Sequence, residues 1–115
     1  TYGRTFSACA FAYEKLVNSG ESVKLIKLNR IIPVCEGAVE AAKDCRDVYF
    51  FEEGICRGGA GEGFLFDLSK AGFSGKYHLR AIENGFVKQA SVESLLHKYG
   101  FDEEGVLSFV TSAEA

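Results

Sequence analysis

Between Thr5 and Asn18 the apolar residues Phe6, Ala10, Tyr13 and Val17, with Cys9 and Leu16 beside them, recur at spacings of three and four. That is the repeat of one helical face, and Ser19-Gly20 is expected to close the helix because glycine accepts the left-handed conformation found there. The pattern then changes. Val23-Lys24-Leu25-Ile26-Lys27-Leu28 is short, bounded and rich in branched apolar residues, which predicts a partly buried strand. Pro33 biases Ile32 towards extended backbone, so a turn is expected before a helix running from Glu36 to Asp44 with Val39 and Ala42 facing inward. Asp47-Val48-Tyr49-Phe50-Phe51-Glu52 carries an unbroken aromatic centre and predicts a strand buried on both faces, placed centrally.

A loop follows at Ile55-Cys56-Arg57-Gly58-Gly59-Ala60-Gly61, leading into a helix whose apolar side is Phe64, Leu65 and Leu68 and which Gly72 to Gly75 break. Tyr77 to Ile82 alternates like a half-buried strand, and Asn84-Gly85 marks a turn. A helix capped by Ser91 and closed at Gly100 comes next, with a further short helix expected from Glu103 to Val110. No internal repeat, low-complexity tract or linker interrupts this order. Alternating strands and helices with short connections predict one α/β domain over residues 1–115, a mostly parallel sheet covered on both faces.

Composition supports folding and narrows the partners. At 115 residues the chain is long enough for one core, and 47 % apolar with 25 % charged residues excludes the profile of a disordered chain. A net charge of −3 without a basic cluster argues against nucleic acid as a partner. No apolar run approaches the roughly 18 residues of a membrane span, and no signal-peptide pattern opens the chain, so a cytoplasmic location and no membrane partner are expected. Cys9, Cys35, Cys45 and Cys56 are scattered, without metal-ligand or C-x-x-C spacing, which points to free thiols in a reducing compartment. The chain contains no Met and opens on a helix where an α/β pattern would begin with a strand; a fragment of a larger protein is expected.

The glycine cluster before a helix is the most conspicuous candidate for chemistry, because free backbone amides and the helix dipole together favour an anion. It matches nucleotide fingerprints poorly. From Gly59, the G-x-G-x-x-G pattern finds Gly61 but then Phe64, and the phosphate-loop pattern lacks its Lys-Ser or Lys-Thr. A tight strand-to-helix turn with close backbone packing is the favoured alternative to an anion site. Glu52 and Glu53 are adjacent, so on a strand they point to opposite faces and cannot flank one substrate atom. Glu53 is expected to cap backbone amides or to pair with Arg57. His97 near a helix C-terminus is explained by the dipole, and no nucleophile motif accompanies it or His78. Cys56 beside Arg57 leaves redox sensing open, with an ordinary thiol favoured.

Read together, these blocks resemble the C-terminal domain shared by transketolases, 1-deoxy-D-xylulose-5-phosphate synthases and the beta subunits of 2-oxoacid dehydrogenases. Thr1-Tyr2-Gly3 looks like the end of that domain's first strand, Ser22 to Pro33 resembles its strand and following Lys-Pro-Leu-Asp segment, and Val48 to Gly61 resembles its Glu-Glu-Gly…Gly-Gly-x-Gly block. Ile82 to Ser91 and Tyr99 to Val106 are similar to synthase segments, and this last third favours the synthases. Three places depart from the pattern: Ile32-Pro33-Val34-Cys35 stands for Lys-Pro-Leu-Asp, Glu83-Asn84 for Pro-Asp, and Ala90 for a Gly.

The resemblance implies a three-layer sheet of about five strands, one of them antiparallel. It also implies that thiamin diphosphate, magnesium and the catalytic residues belong to upstream domains, this stretch having no Gly-Asp-Gly diphosphate motif. A homodimeric parent enzyme follows, in which this domain packs on the upstream domains of the same polypeptide. In a dehydrogenase beta subunit it would dock an acyltransferase core. No catalytic, cofactor or metal residue is then expected here. The residues singled out are Glu53, Arg57, Gly58, Gly59 and Gly61, as an anion or interdomain contact loop.

Overall fold

Phe50 and Phe51 are neighbours on one strand, so their side chains leave on opposite faces. The hydrophobic core divides accordingly. In the computed structural model, which describes residues 1–83 and 89–112, β1 (Asp47–Ile55) carries both phenylalanines. Phe50 packs with Leu28, Ala38, Ala42, Phe64 and Leu68, while Phe51 packs with Ala8, Cys9, Ala12 and Val106. The first cluster is supplied by α2 (Glu36–Ala42) and α3 (Ala60–Lys70), the second by α1 (Phe6–Asn18) and α5 (Glu103–Ser112). Helices therefore cover both faces of the sheet, the three-layer α/β arrangement expected.

β2 (Lys76–Ile82) pairs with β1 in parallel, Asp47 opposite Lys76 through Phe51 opposite Arg80, and α3 is the crossover between them. The register shifts before Ile55 meets Ile82, where the glycine loop begins. Along β2, Tyr77 and Leu79 join the Phe50 cluster, whereas His78 stacks on Tyr49 and Arg80 lies over Phe109. This is the predicted alternation. α4 (Val92–Tyr99) is capped by Ser91, whose Oγ accepts from the Ser94 N–H at 3.2 Å, and closes at Gly100 with a φ of 77°. The turn predicted at Asn84-Gly85 lies outside the described residues.

Three local expectations are corrected. Among the described residues the ladder holds two strands, both parallel, and the antiparallel pairing is a single bridge between Ile31 and Val34 at the turn around Pro33. Residues 23–28 form no ladder. They are packed as a strand would be, Ile26 and Leu28 on the Phe50 cluster and Leu25 on the Phe51 cluster, but among the described residues their backbone is bonded to Thr1 alone. Next, α2 ends at Ala42 rather than Asp44, where the Cys45 N–H turns back to the Ala42 carbonyl, and it buries Ala38 with Ala42.

The third correction concerns α1, which follows a 3-10 turn at Gly3–Thr5. Its buried stripe is Ala8, Cys9, Ala12 and Leu16, not Phe6, Ala10, Tyr13 and Val17, and Val17 is 43 % exposed. Small side chains let the helix axis approach Phe51 and α5, so they win the inner face, and the bulky Phe6 and Tyr13 are left half-buried at its edge. Ala8→Leu is accordingly expected to destabilise the fold by roughly 1–3 kcal/mol through overpacking, and Val17→Ser to stay within about 0.5 kcal/mol. Urea unfolding of the two variants checks the ranking; the reverse order would restore the face predicted from the repeat.

Candidate functional site

The strand-to-helix loop that the sequence singles out is built over a buried carboxylate. Glu52 follows Phe50 by two residues and so faces the same side, where α3 begins, and it has no exposed surface. Its Oε1 accepts from the Gly61 N–H at 3.0 Å. Its Oε2 accepts from the Ala60 N–H at 3.2 Å and from the Tyr2 hydroxyl at 2.8 Å. Three donors thus converge on a group that, as a carboxylate, only accepts. The first amides of α3, which have no partner within their own helix, are satisfied from inside the protein.

The glycines follow from this approach. A side chain at Gly59 would overlap the Ile55 carbonyl and press on the Glu52 carboxylate, and one at Gly61 would overlap Leu79 and crowd Phe50. Tyr77 completes the arrangement by donating to the Gly61 carbonyl at 2.6 Å. Both phenols titrate high: desolvation, then the hydrogen bond to Glu52, moves Tyr2 to about 12, and desolvation, then the charge of Glu52, raises Tyr77 as well.

Glu53 points the other way, as expected, but its partner is Arg4, whose Nε lies 2.7 and 2.9 Å from the two carboxylate oxygens. The roles expected of Glu53 are therefore divided: Glu52 caps the amides and Arg4, not Arg57, takes Glu53. Alternation along β1 and the tight loop explain why. Arg57 and Gly58, the latter with a φ of 79°, stand exposed at the loop tip, and Arg57 has no ion-pair partner among the described residues. The structure thus gathers Gly59 and Gly61 around Glu52 and leaves Arg57 apart. Tyr2 and Tyr77 were missed in the sequence. Tyr2 lies 50 residues from its partner, and only the neighbouring glycines hinted that a polar group was close.

Beside the loop, a cavity of about 910 Å³ lies between α2, α3 and residues 31–34, bordered by Glu36, Glu40 and Asp67 with Lys70. Three carboxylates against one ammonium make it a poor anion site. The remaining candidates are accounted for by local contacts. His78 Nε2 sits 3.1 Å from Asp47 Oδ1, and this hydrogen bond, with a second from Arg46, holds Asp47 below the usual carboxylate range. His97 Nδ1 lies 2.7 Å from Asp102 Oδ2, and Asp102 in turn accepts from the Gly105 N–H at 2.8 Å, so the pair joins the end of α4 to the start of α5. The four cysteines are free, and among the described residues no group of His, Cys, Asp and Glu is arranged to hold a metal ion.

A family model described as the transketolase C-terminal domain matches residues 1–106. The chain belongs to the transketolase C-terminal domain family. It is 29 % identical over 113 residues to a 1-deoxy-D-xylulose-5-phosphate synthase of Bacteroides fragilis, covering 96 % of this chain and 17 % of that protein. It is 27 % identical over 95 residues to the synthase of Phocaeicola vulgatus, covering 82 % of this chain and 15 % of that one. Among solved structures, a split-gene transketolase described as an inactive beta4 tetramer superposes with a TM-score of 0.80 at 21 % identity, covering 97 % of this chain and 36 % of its own. That likeness speaks to the fold. This transketolase C-terminal domain therefore spans under a fifth of the curated relatives it matches.

Two outcomes follow from the site of this transketolase-type domain. Glu52→Ala leaves three donors facing an apolar gap and is expected to cost about 3 kcal/mol or more, and Glu52→Gln, which keeps one carbonyl oxygen, clearly less; chemical denaturation measures both. In an NMR titration His97 is expected above the ordinary value of about 6.5, since the hydrogen bond that its ring N–H donates to Asp102 and then the charge of Asp102 favour the imidazolium, and Asp102→Asn returns it to that value. The sign is that of a raised histidine: the pair's support is full below the ordinary histidine value and is lost as pH rises through the raised one.

Proposed function

We propose that this domain is the C-terminal scaffold of a thiamin-diphosphate-dependent transferase of the 1-deoxy-D-xylulose-5-phosphate synthase type. The parent enzyme would decarboxylate pyruvate and join the product to glyceraldehyde 3-phosphate, in the cytoplasm and as a homodimer. The carrying observation is that both curated relatives are synthases aligned over most of this chain, 96 % and 82 %, yet over a small part of themselves. The reaction is assigned to the rest of such a polypeptide.

The residues present do not fit thiamin diphosphate or magnesium. Diphosphate needs free donors and magnesium needs oxygen ligands. The donors at the start of α3 are directed at Glu52, and among the described residues no cluster of His, Cys, Asp and Glu suits a metal. The loop tip, with Arg57 and Gly58 exposed beyond the capped amides, is read as an interdomain contact rather than an anion site.

No described helix is long and apolar enough to cross a membrane, which fits a domain packed on others of its own chain. Calorimetric titration of the 115-residue chain with thiamin diphosphate and magnesium is expected to give no saturable heat. Saturable micromolar binding would place cofactor chemistry in this domain and defeat the scaffold reading.

A further inference from the structure

Ile32 and Phe66 are the two most exposed large apolar side chains among the described residues, 91 % and 64 % accessible, and both border one groove. This is the cavity of about 910 Å³ between α2, α3 and residues 31–34, and Pro33, Val34 and Val39 extend its apolar lining. Single exposed apolar side chains are ordinary on a protein surface, but several gathered at one recess and rimmed by charge mark a contact.

Charges of both signs lie on adjoining ground. Glu36 opens α2 and Asp67 lies on α3; both border the groove, and neither enters an ion pair among the described residues. The other two charged groups of the lining are already engaged. Glu40 is held by Lys43 at 2.9 Å, and Lys70 Nζ lies 5.4 Å from the centre of the Phe66 ring. Gly58 and Gly59 form the part of the groove nearest the loop tip, which places the exposed Arg57 beside it. One patch therefore carries a recess with two carboxylates and, next to it, a guanidinium that pairs with neither. A surface on which a site and its complement lie side by side satisfies itself when a second copy faces it across a two-fold axis, and every pairing then occurs twice.

We propose that this groove is a two-fold contact between copies of this chain, in which Ile32 and Phe66 of each copy are buried against the other and Arg57 of each pairs with Glu36 and Asp67 of the other. The proposal rests on the reading of the loop tip as a contact rather than an anion site. It gives that contact a partner and a face, and it does not depend on the parent enzyme's being a homodimer.

Sedimentation equilibrium of the 115-residue chain, from about 10 μM to about 1 mM, is expected to show monomers in equilibrium with dimers. Arg57→Glu and Asp67→Lys are each expected to weaken the dimer by about tenfold or more, because each sets like charges against one another at both ends of the contact. An equimolar mixture of the two variants is expected to recover association to within about threefold, since both pairings then join opposite charges. Ile32→Asp, at a side chain exposed in the single chain, is expected to abolish the dimer while leaving the urea midpoint of the monomer in place. A chain that stays monomeric throughout, or a dimer that ignores all three substitutions, overturns the proposal and leaves the reading of the loop tip standing. Weakening by the single variants without recovery in their mixture overturns the two-fold pairing. Shifts of the Arg57 and Gly58 amides on titration with inorganic phosphate would make the tip an anion site and defeat both.

Discussion

Glu52 is the only charged group among the described residues with no exposed surface, and it is held there by donors from two separate parts of the chain. A buried carboxylate without partners would be strongly disfavoured, so its position fixes theirs. The end of β1 must lie under the first turn of α3 at hydrogen-bonding distance, and Tyr2 must return to the same place. The loop between has no room for side chains at Gly59 and Gly61. A motif that reads like an anion-binding loop is, in this geometry, a loop whose anion is part of the protein.

The layers are set by a simpler constraint. Adjacent phenylalanines on β1 commit one core to each face of the sheet, so helices are needed on both. On the Phe50 side α2 and α3 supply alanines, Phe64 and Leu68. On the Phe51 side α1 presents alanines and a cysteine to α5, and the aromatic contacts pass to Phe109, which meets Phe51 and Tyr49 edge-on and lies under Arg80. The polar pairs Arg4–Glu53 and His97–Asp102 sit outside these cores and join neighbouring elements.

Among the described residues these polar groups bond to one another. Amides at the start of α3, both tyrosine hydroxyls and Glu52 are engaged with one another, and the histidines are each matched to an aspartate. The chain spans 17 % and 15 % of the two curated relatives.

The linear pattern determined the order of the helices and of β1 and β2, the two-faced burial of β1, the Ser91 cap, the Gly100 stop and the family, because each is written in local periodicity or in a short motif. Tertiary structure alone decided which face of α1 is buried, since the repeat registers apolarity and close packing selects small volume. It likewise decided that Glu52 rather than Glu53 caps α3, that Arg4 rather than Arg57 takes Glu53, and that residues 23–28 lack a ladder. Those outcomes depend on groups up to 50 residues apart meeting in space, and spacing along a chain carries no record of such meetings.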